Sequence, residues 1–82
     1  MTWATWRKLA LRAIRATCRR LRYFISDDVW RSGLPSFRND RMLGAVMKEA
    51  QRLGLCRPTR RLAPSIRSHG SGKPVWRSLV TA

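Results

Sequence analysis

Between Asn39 and Gly54, the residues Arg41, Gly44, Ala45, Lys48, Gln51 and Arg52 recur at helical spacing and share one face. Guanidinium, ammonium and amide donors stand there around two small residues. Such a surface can approach another backbone closely and offer it positive charge and hydrogen bonds. That is the chemistry of polyanion binding, not of bond cleavage. A solvated basic helix face has the same composition, so the flanking chain must decide between the two. Other reactive side chains are sparse. His69 stands in a stretch rich in Gly and Ser with no nucleophile or acid beside it, and it reads as a turn residue, not a general base. Cys18 and Cys56 have no Cys or His at metal-ligand spacing and lie among apolar residues, so they read as a reduced, buried pair in a cytosolic protein. No catalytic residue, metal site or cofactor is expected.

Composition points the same way. With 82 residues the chain makes one small domain, whose core has little room for an enclosed active site. Four tryptophans concentrate its burial into a few large side chains. Eighteen basic residues against four acidic ones give a formal charge of +14, which disfavours a compact body unless a polyanion relieves it. Nucleic acid is the leading partner class, ahead of an anionic membrane surface or an acidic protein. Residues 1–22 and 57–82 hold no acid at all, so both ends are polycationic and the middle is close to neutral. Asp27, Asp28 and Asp40 fall at expected helix starts, where capping would explain them. Arg outnumbers Lys fifteen to three, which favours forked contacts to phosphate and guanine, although a coding bias towards G and C would produce the same ratio. The first residues are charged throughout and no apolar run is long enough for a signal peptide or a span, so a cytoplasmic protein is expected, with no integral membrane segment.

The elements follow from periodicity and punctuation. Thr2 to Arg22 reads as one long amphipathic helix. Trp6, Leu9, Ala10, Ala13, Thr17 and Leu21 form its apolar face, with Trp3 and Ile14 at the edge. Lys8, Arg12, Arg15, Arg19 and Arg22 form the basic face, while Leu11 and Cys18 lie between, available to a second helix or a dimer partner. Tyr23 to Ile25 is a short strand. Ser26 is expected to cap a short helix that ends at Gly33, and Pro35 marks the turn after it. Asn39 is expected to cap the next helix, with Asp40 at its positive end and Gly54 as its left-handed terminator. Met42, Leu43, Val46, Met47, Ala50 and Leu53 would be the buried stripe of that helix. Leu55 to Thr59 reads as extended, Arg60 to Lys73 as a loop, and Pro74 to Leu79 as a returning strand. All four tryptophans read as core, with Trp3, nearest the end of the chain, the best candidate to stack on a base instead.

The order helix, strand, helix, turn, helix, strand, loop, strand resembles the winged helix-turn-helix family of DNA-binding domains. Local motifs resemble small phage-encoded or actinobacterial winged-helix proteins: F-I-S-D-D-V-W at Phe24 to Trp30, L-G-A-V at Leu43 to Val46, Gly54-Leu55, P-S-I-R-S-H-G at Pro64 to Gly70, and V-W-R at Val75 to Arg77. The resemblance implies an α+β fold, mainly α with a small β-hairpin. It implies a single domain over 1–82, with a basic helix at 1–22, a helix-turn-helix body at 23–56 and a wing at 57–79. By position, Arg41, Lys48, Gln51 and Arg52, with Gly44 and Ala45 between them, would face the major groove. Arg38 and Asn39 would meet phosphates at the helix start, and Arg60, Arg61, Arg67, His69 and Lys73 would form the wing, with Ser65 and Ser68 as further donors. Lys8, Arg12, Arg15 and Arg19 would add phosphate contacts. The implied function is duplex DNA binding without catalysis, as a transcriptional regulator or a phage recombination or replication accessory factor. Nothing in the residues separates DNA from RNA. The first helix is longer and more basic than the family requires. That motivates an alternative, a protein-interaction module or homodimer docking through that helix on a polymerase or replication protein. A third reading makes the first helix a membrane-surface segment.

Overall fold

The structure, a computed structural model, describes residues 1–67 and 69–80. Thr2 opens the first helix, its hydroxyl accepting the Thr5 N–H at 3.2 Å. The chain then runs α1 (Trp3–Arg20), β1 (Tyr23–Phe24), α2 (Ser26–Arg31), α3 (Met42–Arg52), β2 (Cys56–Pro64) and β3 (Gly72–Ser78). The three strands form one antiparallel sheet in the order β1-β3-β2. The fold is α+β: a long first helix, two shorter helices and the sheet around a shared core. No helix among the described residues is long and apolar enough to cross a membrane.

The core is built along the whole of α1. Trp6, Ala10, Ile14, Thr17 and Cys18 are all buried, so α1 packs into the body and is not an appendage to it. Ile14 lies at the centre of the buried stripe rather than its edge, and Cys18 is buried too, so it offers nothing to a dimer partner. Thr17 is tolerated there because its hydroxyl donates to the Ala13 carbonyl at 2.8 Å. Trp6 is the largest fully buried side chain. Its indole N–H donates to the Pro35 carbonyl at 2.7 Å, and its ring stacks on Phe37 at 5.5 Å and 18°. One residue therefore fixes α1 to the segment that leads into α3. Trp3 packs on Trp6 and Phe37 while remaining 36% exposed. Arg7 of α1 forms a two-pronged ion pair with Glu49 of α3, its Nε at 2.7 Å from Oε2.

The helix caps differ from expectation. Ser26 is inside α2, Ile25 occupies the cap position, and the Asp28 carboxylate accepts the Ile25 N–H at 2.9 Å. Asn39 does not cap α3 directly. Its side chain accepts the Arg41 N–H at 3.0 Å, and a tight turn over 39–41 carries the chain into the helix. Gly33 and Gly54 end α2 and α3 with φ of +100° and +79°, where a side chain would be strained. Because α3 stops at Arg52, Leu53 leaves the apolar stripe and is 57% exposed, against its expected burial.

The hairpin is longer than the expected loop from Arg60 to Lys73 allows. Pairing continues to Pro64 and resumes at Gly72. Prolines 58, 64 and 74 suppress a strand reading, yet none sits where its missing N–H is needed. β2 is an edge strand, and Pro74 lies beyond the two residues that β1 covers on β3. Between Pro58 and Leu62 the register shifts, a bulge that bends β2. Thr59 steadies it, donating its hydroxyl to the Val75 carbonyl at 2.8 Å.

The two thiols meet between the end of α1 and the start of β2. Cys18 and Cys56 are free and buried, close enough for each to shift the ionisation of the other. Contact with Cys56, opposed by burial and helped by Ser78, lowers the Cys18 thiol. The same contact, together with burial, raises Cys56. Acidity without access does not give reactivity. Neither thiol should react with Ellman's reagent in the native protein on the timescale of a free thiol, and both should react at once in denaturant. Fast native labelling would contradict their burial.

Candidate nucleic-acid interface

α3 presents the face read from its spacing. Arg41, Gly44, Ala45, Lys48, Gln51 and Arg52 are all exposed, opposite the buried Leu43, Val46, Met47 and Ala50, with Met42 half-buried beside them. The one acid on this helix, Glu49, is turned to the side and held by Arg7, whose hydrogen bond keeps its carboxyl below the usual carboxylate range. The solvent face of α3 therefore carries cations and an amide without an opposing charge.

The start of α3 is not an open cradle of N–H groups. The amides of Met42, Leu43 and Gly44 are bonded to the carbonyls of Asn39, Asp40 and Arg41 at 3.0 to 3.3 Å. Anion contact at this end falls to side chains. Arg38 adopts a left-handed backbone with φ of 55° and lays its guanidinium over Phe37 at 5.3 Å, exposed. Asn39 is exposed, with its carbonyl oxygen already engaged by Arg41 N–H.

The turn joining β2 to β3 folds back against the helices, and one buried acid holds it there. Asp27 lies in the first turn of α2 but is not a cap. It is 6% exposed, accepts the Ser65 hydroxyl at 2.6 Å and accepts the Arg67 N–H at 3.3 Å. Burial pushes the Asp27 carboxyl up. The hydrogen bonds from Ser65 and from the Arg67 and Ile66 backbone, with the nearby charge of Arg31, outweigh that, and the net shift is downward. Arg67 completes the clamp. Its guanidinium grips both Asp40 oxygens, at 2.6 and 3.1 Å, and covers the Trp30 ring at 4.3 Å. The sequence carries no local signal for Asp27, Ser65, Trp30, Arg67 and Asp40 as a unit, because each acid has a sufficient local role at a helix start.

The expected wing residues therefore separate into two kinds. Arg67 is committed to Asp40 and positions the turn. Arg60 and Arg61 on the bulge, and His69 in the turn, are exposed, while Lys73 is half-buried. His69 has φ of 55° and its N–H donates to the Ile66 carbonyl at 3.2 Å, a local turn geometry. Ser65 is buried as the partner of Asp27 and does not face solvent. Ser68 lies outside the described residues. A cleft of about 320 Å³ between α2, α3 and the turn is lined by Asn39, Arg41, Arg67 and Lys73 together with Asp27 and Asp40, both of which are engaged by the turn. Lys48, Gln51 and Arg52 follow Arg41 along the exposed face of α3. Among the described residues, no three His, Cys, Asp or Glu side chains are grouped to hold a metal ion. No family model, curated protein or solved structure matches the chain.

Proposed function

We propose that the chain is a non-enzymatic nucleic-acid-binding protein of winged helix-turn-helix architecture, with α3 seated in the major groove of duplex DNA and the β2–β3 turn lying against the backbone beside it. The observation that carries this reading is the exposed face of α3, basic and free of unpaired acid, with a clamped basic turn at its N-terminal end. The element order and the β1-β3-β2 sheet support it, since a winged helix-turn-helix needs a sheet that brings a hairpin alongside the third helix. Arg41, Lys48 and Arg52, with Gln51, would reach base edges and phosphates. Arg38, Arg60, Arg61 and Lys73 would neutralise backbone. A regulator of transcription, or an accessory factor in recombination or replication, is the role such a module would serve.

Gel shifts of duplex against single strand at two salt concentrations test this. With seven exposed or half-buried cations at the interface, affinity should fall with a log–log salt slope of about −6. Arg41→Ala and Lys48→Ala should each reduce that slope by about one and weaken a cognate duplex more than a random one. Equal losses on both duplexes would remove base readout and leave backbone binding alone. A preference for single strand would remove the groove-docked α3.

A further inference from the structure

The face of the molecule that α3 does not use carries as much unopposed charge as the one it does. Lys8, Arg12, Arg15 and Arg19 recur at helical spacing along α1, directly opposite its buried stripe, and all four are exposed. They make a ridge about 16 Å long. At its end, Arg19, Arg20, Arg22 and Arg77 surround a pocket of about 260 Å³ with no acid in its lining. Arg77 also sits directly across from Arg57 on the outer face of the sheet, in the same row as Tyr23. Like charges paired across strands are destabilising unless something neutralises them. Nothing within the described residues does. Glu49 is held by Arg7, Asp40 by Arg67, Asp27 by Ser65 and the turn, and Asp28 by the Ile25 N–H and Arg31.

We infer that the α1 ridge and the arginine pocket at its end form a second nucleic-acid surface, which takes a separate duplex segment so that one molecule bridges two. This rests on the duplex-binding reading of α3. Charge complementarity selects a polyanion, and the fold selects nucleic acid over a bilayer. A membrane-surface helix needs a free apolar face, whereas Trp6, Ala10 and Ile14 are fully buried in the core. The need for a second segment follows from geometry. α1 and α3 pack through their apolar stripes, so their basic faces point away from one another. The body measures 32 × 31 × 19 Å, far below the roughly 50 nm persistence length of duplex DNA, so one short duplex does not wrap from one face to the other.

The experiment captures a labelled short duplex on beads carrying an unlabelled one, with wild-type protein as the only link. Three proteins are compared: wild type, the triple variant Arg12→Gln, Arg19→Gln, Arg77→Gln, and a charge-matched control, Arg41→Gln, Lys48→Gln, Arg52→Gln. The first triple should keep α3-dependent affinity for a single duplex within about threefold and lose bridging by about tenfold or more, whereas the control, which keeps the ridge, should lose bridging together with the preference for a cognate over a random duplex. Both sets substitute exposed positions with a good helix or strand-tolerated residue, and thermal melts confirm folding. Wild type that binds one duplex at one-to-one without bridging overturns the inference and leaves the α3 reading standing. Bridging that survives the ridge triple overturns it in favour of self-association. Wild type that binds anionic vesicles through the ridge without bridging overturns it in favour of a membrane surface. Wild type that binds no duplex at all sinks both.

Discussion

Trp6→Ala should remove about half of the chain's folding stability. Trp6 is fully buried, stacks on Phe37, packs against Trp30 at 6.1 Å between ring centroids and hydrogen-bonds the Pro35 carbonyl. Removing a buried Trp costs about 3–5 kcal/mol through lost transfer energy and the cavity left behind. A domain of this size holds only about 5–10 kcal/mol in total. At about 4–8 °C per kcal/mol, the midpoint of thermal unfolding should fall by about 15 °C or more. Trp6→Phe separates the two contributions. It keeps most of the ring contact and loses the hydrogen bond, for about 1–2 kcal/mol. Circular dichroism melts of the two variants are the check, and an alanine variant within about 1 kcal/mol of wild type would mean that the aromatic cluster does not hold α1 to the body. The effect matters for binding because the Pro35–Phe37 segment that Trp6 anchors leads directly to Arg38, Asn39 and Arg41.

What was legible in the chain was what repeats at short range. The α3 face could be read because six exposed and four buried positions alternate with a helical period, and nothing from elsewhere in the fold interrupts it. The long α1 was legible for the same reason, although Ile14 shifted from edge to centre and Cys18 from flank to core once the sheet closed over the end of the helix. The full hairpin is hidden in the sequence because proline is judged locally, while its cost depends on whether a neighbouring strand exists on that side, which is a property of the sheet. The role of Asp27 is hidden for a deeper reason. An acid in the first turn of a helix has a sufficient local explanation, so nothing prompts a search for a partner 38 residues away. The separation of Arg67 from the other wing cations was invisible on the same grounds: its acid, Asp40, also had a local role to fill. Long-range polar pairs carry no period, and in a chain with four acids against eighteen bases each one is contested by many candidates.

Asp27→Ala should be the single substitution that most weakens binding without touching an exposed cation. It removes the acceptor of the Ser65 hydroxyl and of the Arg67 N–H, which together fasten the β2–β3 turn to α2. Loss of such charge-assisted bonds in a buried site costs about 1–3 kcal/mol each in stability. Duplex affinity should fall by about tenfold, the equivalent of 1.4 kcal/mol, as Lys73 and the turn lose their fixed position beside Arg41. Asp27→Asn keeps the shape and one acceptor and should fall between the two. The acid dependence has a definite sign. Asp27 binds its proton less readily folded than unfolded, so its contribution is complete above the ordinary Asp value of about 4 and is lost as the pH falls through the lower folded value. Glu49, lowered by Arg7, acts in the same direction. Wild-type melting temperature should therefore be level near neutrality and drop below about pH 4, and Asp27→Asn should flatten that drop without abolishing it, because Glu49 remains. Melts of both proteins across the acid range read this directly. An unchanged acid slope in Asp27→Asn, together with unchanged duplex affinity in Asp27→Ala, would show that the turn is held by Arg67 and Asp40 alone.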